Sequence, residues 1–269
     1  MWTEPNREAE EEIAAAEMRG LPPVEIRSRA IKAKTFRIDP DQPIYRIAEL
    51  FHVEQDIKQQ VLSYRYVHQG AWNDPCENPI ARFSWLQNIV NDYCAVCWSR
   101  TALSQDNHWR DFSHGEPAVR LESTPRLLLE RLMHLEDPFM NLRHFIGGVR
   151  YAPIAAIEAW LSYIERDYTA VMDTQGIKIA QSFMLLKADL QDEQEVRVVC
   201  TSLKNSGETW WIDHVRAENG RVKLPFNWRG ALKSLVLGPT VDSALEQSLK
   251  TLLAQAGISC PVTRTSLLT

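Results

Sequence analysis

The chain contains the stretch Glu193-Gln194-Glu195-Val196-Arg197-Val198-Val199-Cys200, and its pattern indicates a β-strand. Because alternate side chains of a strand lie on one face, Glu193, Glu195 and Arg197 should line one side, and Val196, Val198 and Cys200 the other. Two carboxylates about 7 Å apart along one strand suit acid/base chemistry or the stabilisation of a cation. The same pattern also fits a structural strand with one face in water. The stretch therefore predicts a strand and leaves both interpretations of its carboxylates open.

The elements predicted around this strand indicate an α+β fold, with mixed or antiparallel strands at both chain ends packed with a helical middle region. We predict strands at 44–47, 93–99, 118–121, 148–151, 194–202, 209–216, 221–224, 232–237 and 259–263. We predict helices at 7–19, 53–62, 85–91, from 125, at 154–173, 177–186 and 241–256. The front and back strands should pair with each other around one core. Residues 1–22 are predicted to be a helical extension, because Gly20 and Pro22-Pro23 end helix 7–19, and residues 43–269 a single domain.

Composition and charge narrow the class of protein. An apolar fraction of 45% and a charged fraction of 24% are typical of a globular protein. The net charge of -5 argues against broad binding to nucleic acid or to an anionic membrane, although it does not describe one local basic groove. No apolar run approaches the roughly 20 residues that span a bilayer. Met1-Trp2-Thr3-Glu4 leads into an acidic run, so no secretory signal is visible and the cytoplasm is the expected location.

The five cysteines form no disulfide or metal-binding pattern. Cys94 and Cys97 have the spacing of a zinc knuckle or a redox pair, but they fall in a predicted buried strand. Residues three apart in a strand point to opposite faces, so the two thiols are poorly placed to hold one metal ion. We therefore expect no metal site here.

Motifs of several common enzyme classes are absent from the sequence. It contains no phosphate-binding loop, no dinucleotide-binding glycine pattern, no H-E-x-x-H and no G-x-S-x-G. A Ser-His-Asp set can be assembled from residues of one polar loop, where such residue types are common in any case: Ser113, His108 or His114, and Asp106 or Asp111. The triad is thus a weak alternative.

An ordered set of motifs resembles a widespread family of uncharacterised bacterial and phage domains. The set consists of Ile44-Tyr45-Arg46, Trp72-Asn73-Asp74-Pro75-Cys76-Glu77, Cys97-Trp98-Ser99, His108-Trp109-Arg110-Asp111-Phe112-Ser113, Lys187, the strand Glu193-x-Glu195-x-Arg197 and Leu237-Gly238-Pro239. It spans residues 43–266. In two places the chain departs from the family pattern: Cys76 replaces the usual aromatic residue, and Phe112 replaces a tyrosine and so removes a hydroxyl. The family's layout is similar to that of ADP-ribosyltransferases, in which an early-strand arginine, a middle-strand serine and a late-strand E-x-E surround NAD.

The resemblance implies a role for each matching residue. Glu195 would stabilise the oxocarbenium-like cation that forms when the nicotinamide–ribose bond of NAD breaks, and Glu193 would be the general base for the incoming nucleophile. Ser99 would position the two carboxylates. The resemblance also implies cofactor-binding roles, for Arg46 with the NAD diphosphate, for Tyr45 or Trp109 stacking on nicotinamide, and for Arg197.

Each of these residues also has a structural interpretation. Arg46 would be a surface arginine paired with an acid, Ser99 the end of a strand, and Trp109 a core residue. Arg197 would neutralise Glu195 instead of binding phosphate. Asp74 would hold a turn by bonding backbone amides.

Three hypotheses follow. The first is an ADP-ribosyltransferase-like enzyme that transfers ADP-ribose from NAD to an unknown acceptor, in toxin, defence or phage–host conflict. No membrane partner is expected, and the net charge does not indicate a nucleic-acid partner. The second is a non-catalytic binding or immunity/adaptor module on the same scaffold, and the third a metal-dependent nuclease or hydrolase using Glu193 and Glu195. Under the first hypothesis, Arg46, Ser99 and Glu195 must converge on one cleft wide enough for a dinucleotide. It fails if Arg46 and Glu195 point away from each other across the sheet.

Overall fold

The computed structural model describes residues 23–67, 79–132, 144–173, 176–201, 215–218 and 220–266. Within these residues the strands, numbered in chain order, are β1 (Thr35–Phe36), β2 (Ile44–Glu49), β3 (Val61–Tyr66), β4 (Tyr93–Ser99), β5 (Ala118–Ser123), β6 (His144–Gly148), β7 (Arg150–Ala152), β8 (Leu185–Lys187), β9 (Glu195–Thr201), β10 (Arg216–Glu218), β11 (Arg221–Pro225), β12 (Ser234–Leu237) and β13 (Val262–Arg264). All except β7 and β8 join one mixed sheet, while β7 and β8 form a parallel pair. The α+β class predicted from the sequence is confirmed.

Helices cover this sheet and connect its strands. The α-helices are α1 (Pro23–Ala33), α2 (Leu50–Gln59), α3 (Gln87–Val90), α4 (Asp106–Ser113), α5 (Pro125–Leu132), α6 (Ile154–Arg166), α7 (Ile177–Ser182) and α8 (Ser243–Gln255). Short 3-10 segments lie at Pro79–Arg82, Ser84–Leu86, Tyr168–Ala170 and Ala188–Glu193. Among the described residues, no helix combines the length and the apolar character needed to cross a membrane.

The main sheet splits beside β4. One edge of β4 pairs with β9 along its full length. On the other edge β3 pairs with Cys94 and Ala95, whereas β2 pairs with Ser99. Between these points no described strand pairs with the second edge of β4. One branch of the sheet then continues through β2, β5, β12 and β13, and the other through β3, β11 and β10. The gap between the branches opens a cleft over the middle of β4.

Helix α2 connects the two branches across this gap. Leu50, Val53 and Ile57 repeat at helical spacing, and all three are buried in the larger core. The carboxylate of Asp56 accepts hydrogen bonds from the Ser63 backbone N–H at 3.0 Å and from the Ser63 hydroxyl at 2.6 Å. The helix is therefore held both to the core and to the start of β3, which fixes the separation of the branches.

Both faces of the sheet are packed. Val196, Val198 and Cys200 of β9 lie in the larger core, as their alternation predicts, whereas Val199 lies in a second core on the opposite face. The prediction that front and back strands pair is confirmed by the β4–β9, β3–β11 and β5–β12 ladders. The prediction of one core is wrong, because helices α6 and α7 cover the second face of the sheet.

The strand around Glu195 is shorter than the sequence predicts. Residues Ala188–Glu193 form a 3-10 segment, and Gln194 adopts a left-handed conformation with φ of 46°. Strand β9 begins only at Glu195, so Glu193 lies in the preceding turn and is exposed. The prediction that Glu193 and Glu195 share one strand face is therefore wrong, because the turn breaks the alternation between them.

Other boundaries also differ from the prediction. The predicted helix 53–62 is α2, which ends at Gln59, and it is followed by the unpredicted strand β3. The helix predicted at 154–173 ends at Arg166, because Asp167 is extended and begins a 3-10 turn. The hairpin predicted at 218–220 is confirmed by the pairing of β10 with β11. The extension 1–22, the Asn73-Asp74-Pro75 turn and most of the strand predicted at 209–216 lie outside the described residues.

The buried Trp228 gives a test of this architecture. Its indole N–H donates to the carbonyl of Val61 at 2.9 Å, its ring packs edge-on against Phe226, and only 1% of it is exposed. Trp228→Ala should lower the free energy of unfolding in urea by about 3–5 kcal/mol, since it leaves a cavity beside β3. The matched change Trp85→Ala, at a half-exposed tryptophan, should cost less than about 1 kcal/mol. If Trp228→Ala and Trp85→Ala lowered the free energy of unfolding equally, the assignment of Trp228 to the core would be contradicted.

Candidate functional site

A cavity of 380 Å³ occupies the split in the sheet. Its floor is the middle of β4, and its walls come from β2, α2, β3 and β11 on one side and from the turn before β9 on the other. The end of α4 forms part of the rim. The lining residues include Tyr45, Arg46, Glu49, His52, Ser63, Arg65, Cys97, Ser99, Asp111, Phe112, His114, Glu193, Glu195, Arg197 and Arg221. Six of the seven residues predicted from the sequence are therefore found around one cavity.

The seventh, Trp109, is buried elsewhere. Its side chain is 4% exposed and packs with Ile47, Leu103 and Ala118 in a small separate core. Trp109 is turned inward because α4 is amphipathic and lies on β2 with this residue on its buried side. Of the two aromatic residues considered for nicotinamide stacking, the structure thus leaves Tyr45 in the cleft.

Strand register brings three of the predicted residues into one row. Tyr45 of β2 is paired with Ser99 of β4, which is in turn paired with Glu195 of β9. Directly paired residues project from the same face of a sheet. Alternation places Arg46 on the other side of the β2 pleat from Tyr45. By alternation Arg46 and Glu195 therefore start from opposite faces of the sheet, which counts against the transferase hypothesis. Both nevertheless line the same cavity, because β2 and β3 diverge beside Arg46.

Glu195 and Arg197 form a buried ion pair. Arg197 Nε donates to Glu195 Oε1 at 2.9 Å and Arg197 Nη2 donates to Glu195 Oε2 at 2.9 Å. Their side chains are 8% and 3% exposed. A third donor, Arg197 Nη1, is bound to the carbonyl of Phe183. This two-point contact fixes the plane of the Glu195 carboxylate and keeps its charge compensated in a site with little water.

The turn that carries Glu193 and Glu195 is anchored through its backbone. The carbonyl of Glu193 accepts from the Ser99 hydroxyl at 2.9 Å, and that of Gln194 accepts from the Arg100 backbone N–H at 2.9 Å. The N–H of Glu195 donates to the Tyr151 hydroxyl at 2.8 Å. Burial, with the negative charges of Glu195 and Glu193, raises the pKa of Tyr151 to about 12, so this hydroxyl keeps its proton. Ser99 and Tyr151 together hold the turn in place.

Sequence reasoning missed Tyr151, because nothing local connects it with a residue more than forty positions later.

Cys97 lies between these groups on the cleft floor. It is paired in register with Arg197 and is open to the cleft. Protein atoms surround its sulfur on the remaining sides, and this desolvation, with the nearby Glu195 carboxylate, raises the pKa of the thiol well above its usual range. Cys97 is thus a neutral thiol and a poor nucleophile. Cys94 is buried in the larger core on the opposite face, as expected for a C-x-x-C sequence in a strand.

Three arginines line the opposite wall of the cleft, and we call Arg46, Arg65 and Arg221 the arginine wall. The guanidinium groups of Arg46 and Arg65 have no hydrogen-bond or ion-pair partner among the described residues, and Arg221 contacts only His52 Nε2, at 3.1 Å. Two carboxylates lie near this wall: Asp56, which Ser63 already holds, and Glu49, which contacts His52. Burial lowers the pKa values of Arg46 and Arg221, although both remain positively charged at neutral pH. The wall is therefore a concentration of positive charge facing an open cleft.

Sequence reasoning identified Arg46 and missed the other two arginines. Arg65 lies in an unpredicted strand, and Arg221 comes from the far end of the chain.

The triad alternative gains no geometric support. The Ser113 hydroxyl accepts from the Gly115 N–H, and the ring of His108 caps the start of α4 by accepting from the Gln105 N–H. Neither residue is bonded to the other. Of the five residues considered for the triad, Asp111 and His114 line the cleft, and Ser113, His108 and Asp106 do not.

No family model matches the chain, and no curated protein matches it. Solved structures of DarT from Thermus sp. 2.9 are similar in part. The complex with NAD+ shares 11% identity, covers 85% of this chain and 96% of that chain, and has a TM-score of 0.38. The complex with ADP-ribosylated ssDNA shares 13% identity, with 86% and 96% coverage and a TM-score of 0.39. These TM-scores are too low to establish a shared fold, and the function proposed below rests on the cleft.

The buried ion pair gives a test of the site. Arg197→Met should lower the free energy of unfolding by about 3–5 kcal/mol, because it leaves the Glu195 carboxylate buried without compensation. Urea denaturation measures this loss, and pairing Arg197→Met with Glu195→Gln should recover part of it. Asp41→Asn is the matched control, since Asp41 binds Arg126 with the same two-point geometry at the surface. It should cost less than about 1 kcal/mol. A small loss for Arg197→Met would contradict the pair's structural role.

Proposed function

We propose that the protein is an ADP-ribosyltransferase-like enzyme that cleaves NAD at its nicotinamide–ribose bond and transfers ADP-ribose to an acceptor. One observation carries the proposal. A single cleft of 380 Å³ brings together a fixed, buried carboxylate, Glu195, and a wall of arginines without carboxylate partners. The reaction needs a negative charge where the ribosyl cation forms and positive charges where the diphosphate binds.

The arginine wall suits the diphosphate of NAD. Arg46, Arg65 and Arg221 supply three positive charges, whereas the two carboxylates near them, Asp56 and Glu49, supply two negative charges, so the wall keeps a net positive charge for a diphosphate diester. Guanidinium groups bind phosphate oxygens through two parallel N–H donors, and such bonds are strong in a partly dehydrated cleft. Arg46 also lies near Cys97 on the cleft floor, beside the Glu195–Arg197 pair, so it would contact the part of the diphosphate nearest the reacting ribose.

Glu195 would stabilise the transition state for loss of nicotinamide. The electrons of the C1′–N bond leave with nicotinamide, and positive charge develops on the ribose ring. Arg197 holds the Glu195 carboxylate in one orientation, so little reorganisation is needed when that charge forms. Arg197 is accordingly assigned to positioning Glu195, because its own donors are already committed within the protein.

Glu193 would act as the general base for the acceptor. Its side chain is exposed at the mouth of the cleft, where an acceptor X–H group can lose its proton to the carboxylate while X bonds to C1′. Ser99 would position the turn that carries both carboxylates. Tyr45 would stack on nicotinamide through the ring face that the Arg120 guanidinium, 5.5 Å from the ring centre, does not cover. The proposed setting in toxin, defence or phage–host conflict follows only from the resemblance of the sequence motifs.

One observation favours a non-catalytic binding module as the second candidate. Both oxygens of Glu195 accept hydrogen bonds from Arg197, so the negative charge of the carboxylate is already compensated in the free protein. Under this alternative, NAD would bind to the arginine wall without losing nicotinamide.

Nicotinamide release separates the two candidates. The protein incubated with NAD should release nicotinamide, measured by chromatography, and Glu195→Gln should reduce the rate at least about 100-fold, since it removes the charge facing the cation. Circular dichroism should show that the fold is retained. Glu158→Gln is the control, because Glu158 is exposed and pairs with Arg82 outside the cleft. The acceptor screen should include protein, single-stranded DNA and water. Unchanged release by the Glu195→Gln variant would refute this role of Glu195.

Binding of NAD tests the arginine wall separately. Arg46→Met and Arg65→Met should each weaken NAD binding about tenfold or more, as measured by calorimetry, because each removes a charged donor to the diphosphate. Arg82→Met, at a surface arginine outside the cleft, should leave the affinity unchanged. Equal affinities across all these variants would place the diphosphate elsewhere.

A further inference from the structure

His52 lies at the end of the arginine wall and makes two contacts through one nitrogen. Its Nε2 is 3.1 Å from Arg221 Nη2 and 3.2 Å from Glu49 Oε2. The imidazole is partly exposed and lines the cleft, and its ring packs edge-on against Phe51. The nitrogen therefore stands between a cation that can only donate and a carboxylate that can only accept.

One nitrogen cannot satisfy both neighbours in the same protonation state. Neutral His52 with its proton on Nδ1 accepts at Nε2 from Arg221, and it then offers nothing to Glu49. Protonated His52 donates from Nε2 to Glu49, and it then repels Arg221. A proton on Nε2 thus decides the partner of His52, because it turns the ring toward Glu49 and leaves the Nη2 of Arg221 available to another acceptor. Both the protonated ring and the neutral tautomer with its proton on Nε2 can do this, but only the protonated ring carries the positive charge that an anion in the cleft favours.

The surrounding charges favour the neutral state when the cleft holds no anion. Arg221 on β11 and Arg46 on β2 disfavour the protonated ring, whereas Glu49 on β2 and Asp56 on α2 favour it. Burial and Arg221 together lower the pKa of His52 below its usual value. A bound diphosphate would reverse this balance, because its negative charges lie against the same arginines.

We propose that His52 takes up a proton from solvent when a diphosphate ester occupies the arginine wall, that its Nε2–H then donates to Glu49, and that Arg221 turns its guanidinium to the ligand. The proposal rests on the proposed function, which places a diphosphate at this wall. It adds a proton-linked control of affinity to that site.

Linkage fixes the direction of the effect. If the diphosphate favours protonated His52, protonation must favour the diphosphate by the same free energy. Affinity should therefore rise as pH falls from the raised pKa of His52 in the complex to its lowered pKa in the free protein, a window that extends below the 6.5 of an unperturbed ring. The diphosphate diester itself does not titrate there, so a change in affinity reports on the protein.

ADP-ribose is the probe, because it carries the diphosphate and has no nicotinamide bond to break. Calorimetry on the whole chain in buffers of different ionisation enthalpy should show proton uptake on binding near pH 6.5. Affinity should be about threefold to tenfold higher near pH 5.5 than near pH 7.5. Nuclear magnetic resonance of the labelled His52 ring should show that ADP-ribose raises its pKa.

Three variants isolate His52. His52→Gln keeps a neutral acceptor for Arg221 but cannot gain a proton, so its affinity should vary less than about twofold over the same pH range. Glu49→Gln removes the partner of the protonated ring and should move the transition to lower pH. His108→Gln is the control, because His108 caps α4 outside the cleft and its loss should leave the wild-type pH dependence intact.

Each outcome separates this proposal from the proposed function. Proton-linked binding without nicotinamide release from NAD would refute the transferase and leave the His52 proposal standing. Binding of ADP-ribose without proton uptake, or with the same pH dependence in His52→Gln, would refute the His52 proposal alone. If ADP-ribose binds at none of these pH values, both the transferase proposal and the His52 proposal are refuted.

Discussion

The divided edge of β4 is the constraint on which the rest of the structure depends. Backbone N–H and C=O groups of a strand require partners, and β9 satisfies one edge of β4 completely. The other edge is shared, with β3 at its start and β2 at its end. Because the two partner strands diverge, the middle of this edge faces a cavity. That arrangement exposes the centre of a buried sheet, where polar groups are otherwise excluded.

The placement of the charged side chains follows from that geometry. On the face shared by β4 and β9, side chains are apolar where α6 and α7 cover the sheet, and become polar where the cleft begins. Glu195 is tolerated there because Arg197 compensates it, and Arg197 because Glu195 and the carbonyl of Phe183 accept its donors. The arginine wall is separated from this pair by the width of the cleft. The cleft therefore has a compensated carboxylate pair on one side and three arginines on the other.

The sequence predicted individual strands better than their arrangement. Alternation correctly assigned Val196, Val198 and Cys200 to a core, and turn residues located the β10–β11 hairpin. The left-handed Gln194 was not predicted, because glutamine carries no signal for that conformation. The split could not be predicted either, since it depends on which long-range partners pair with each half of β4. For the same reason, Arg65, Arg221 and Tyr151 join the cleft from elements with no local relation to Glu195.

The most direct test of this account is a crystal structure of the protein with NAD. We expect the diphosphate to lie against Arg46, Arg65 and Arg221, with the nicotinamide ribose facing Glu195 across the floor formed by β4. A dinucleotide bound outside the split between β2 and β3, or one whose diphosphate lies away from the arginine wall, would contradict it.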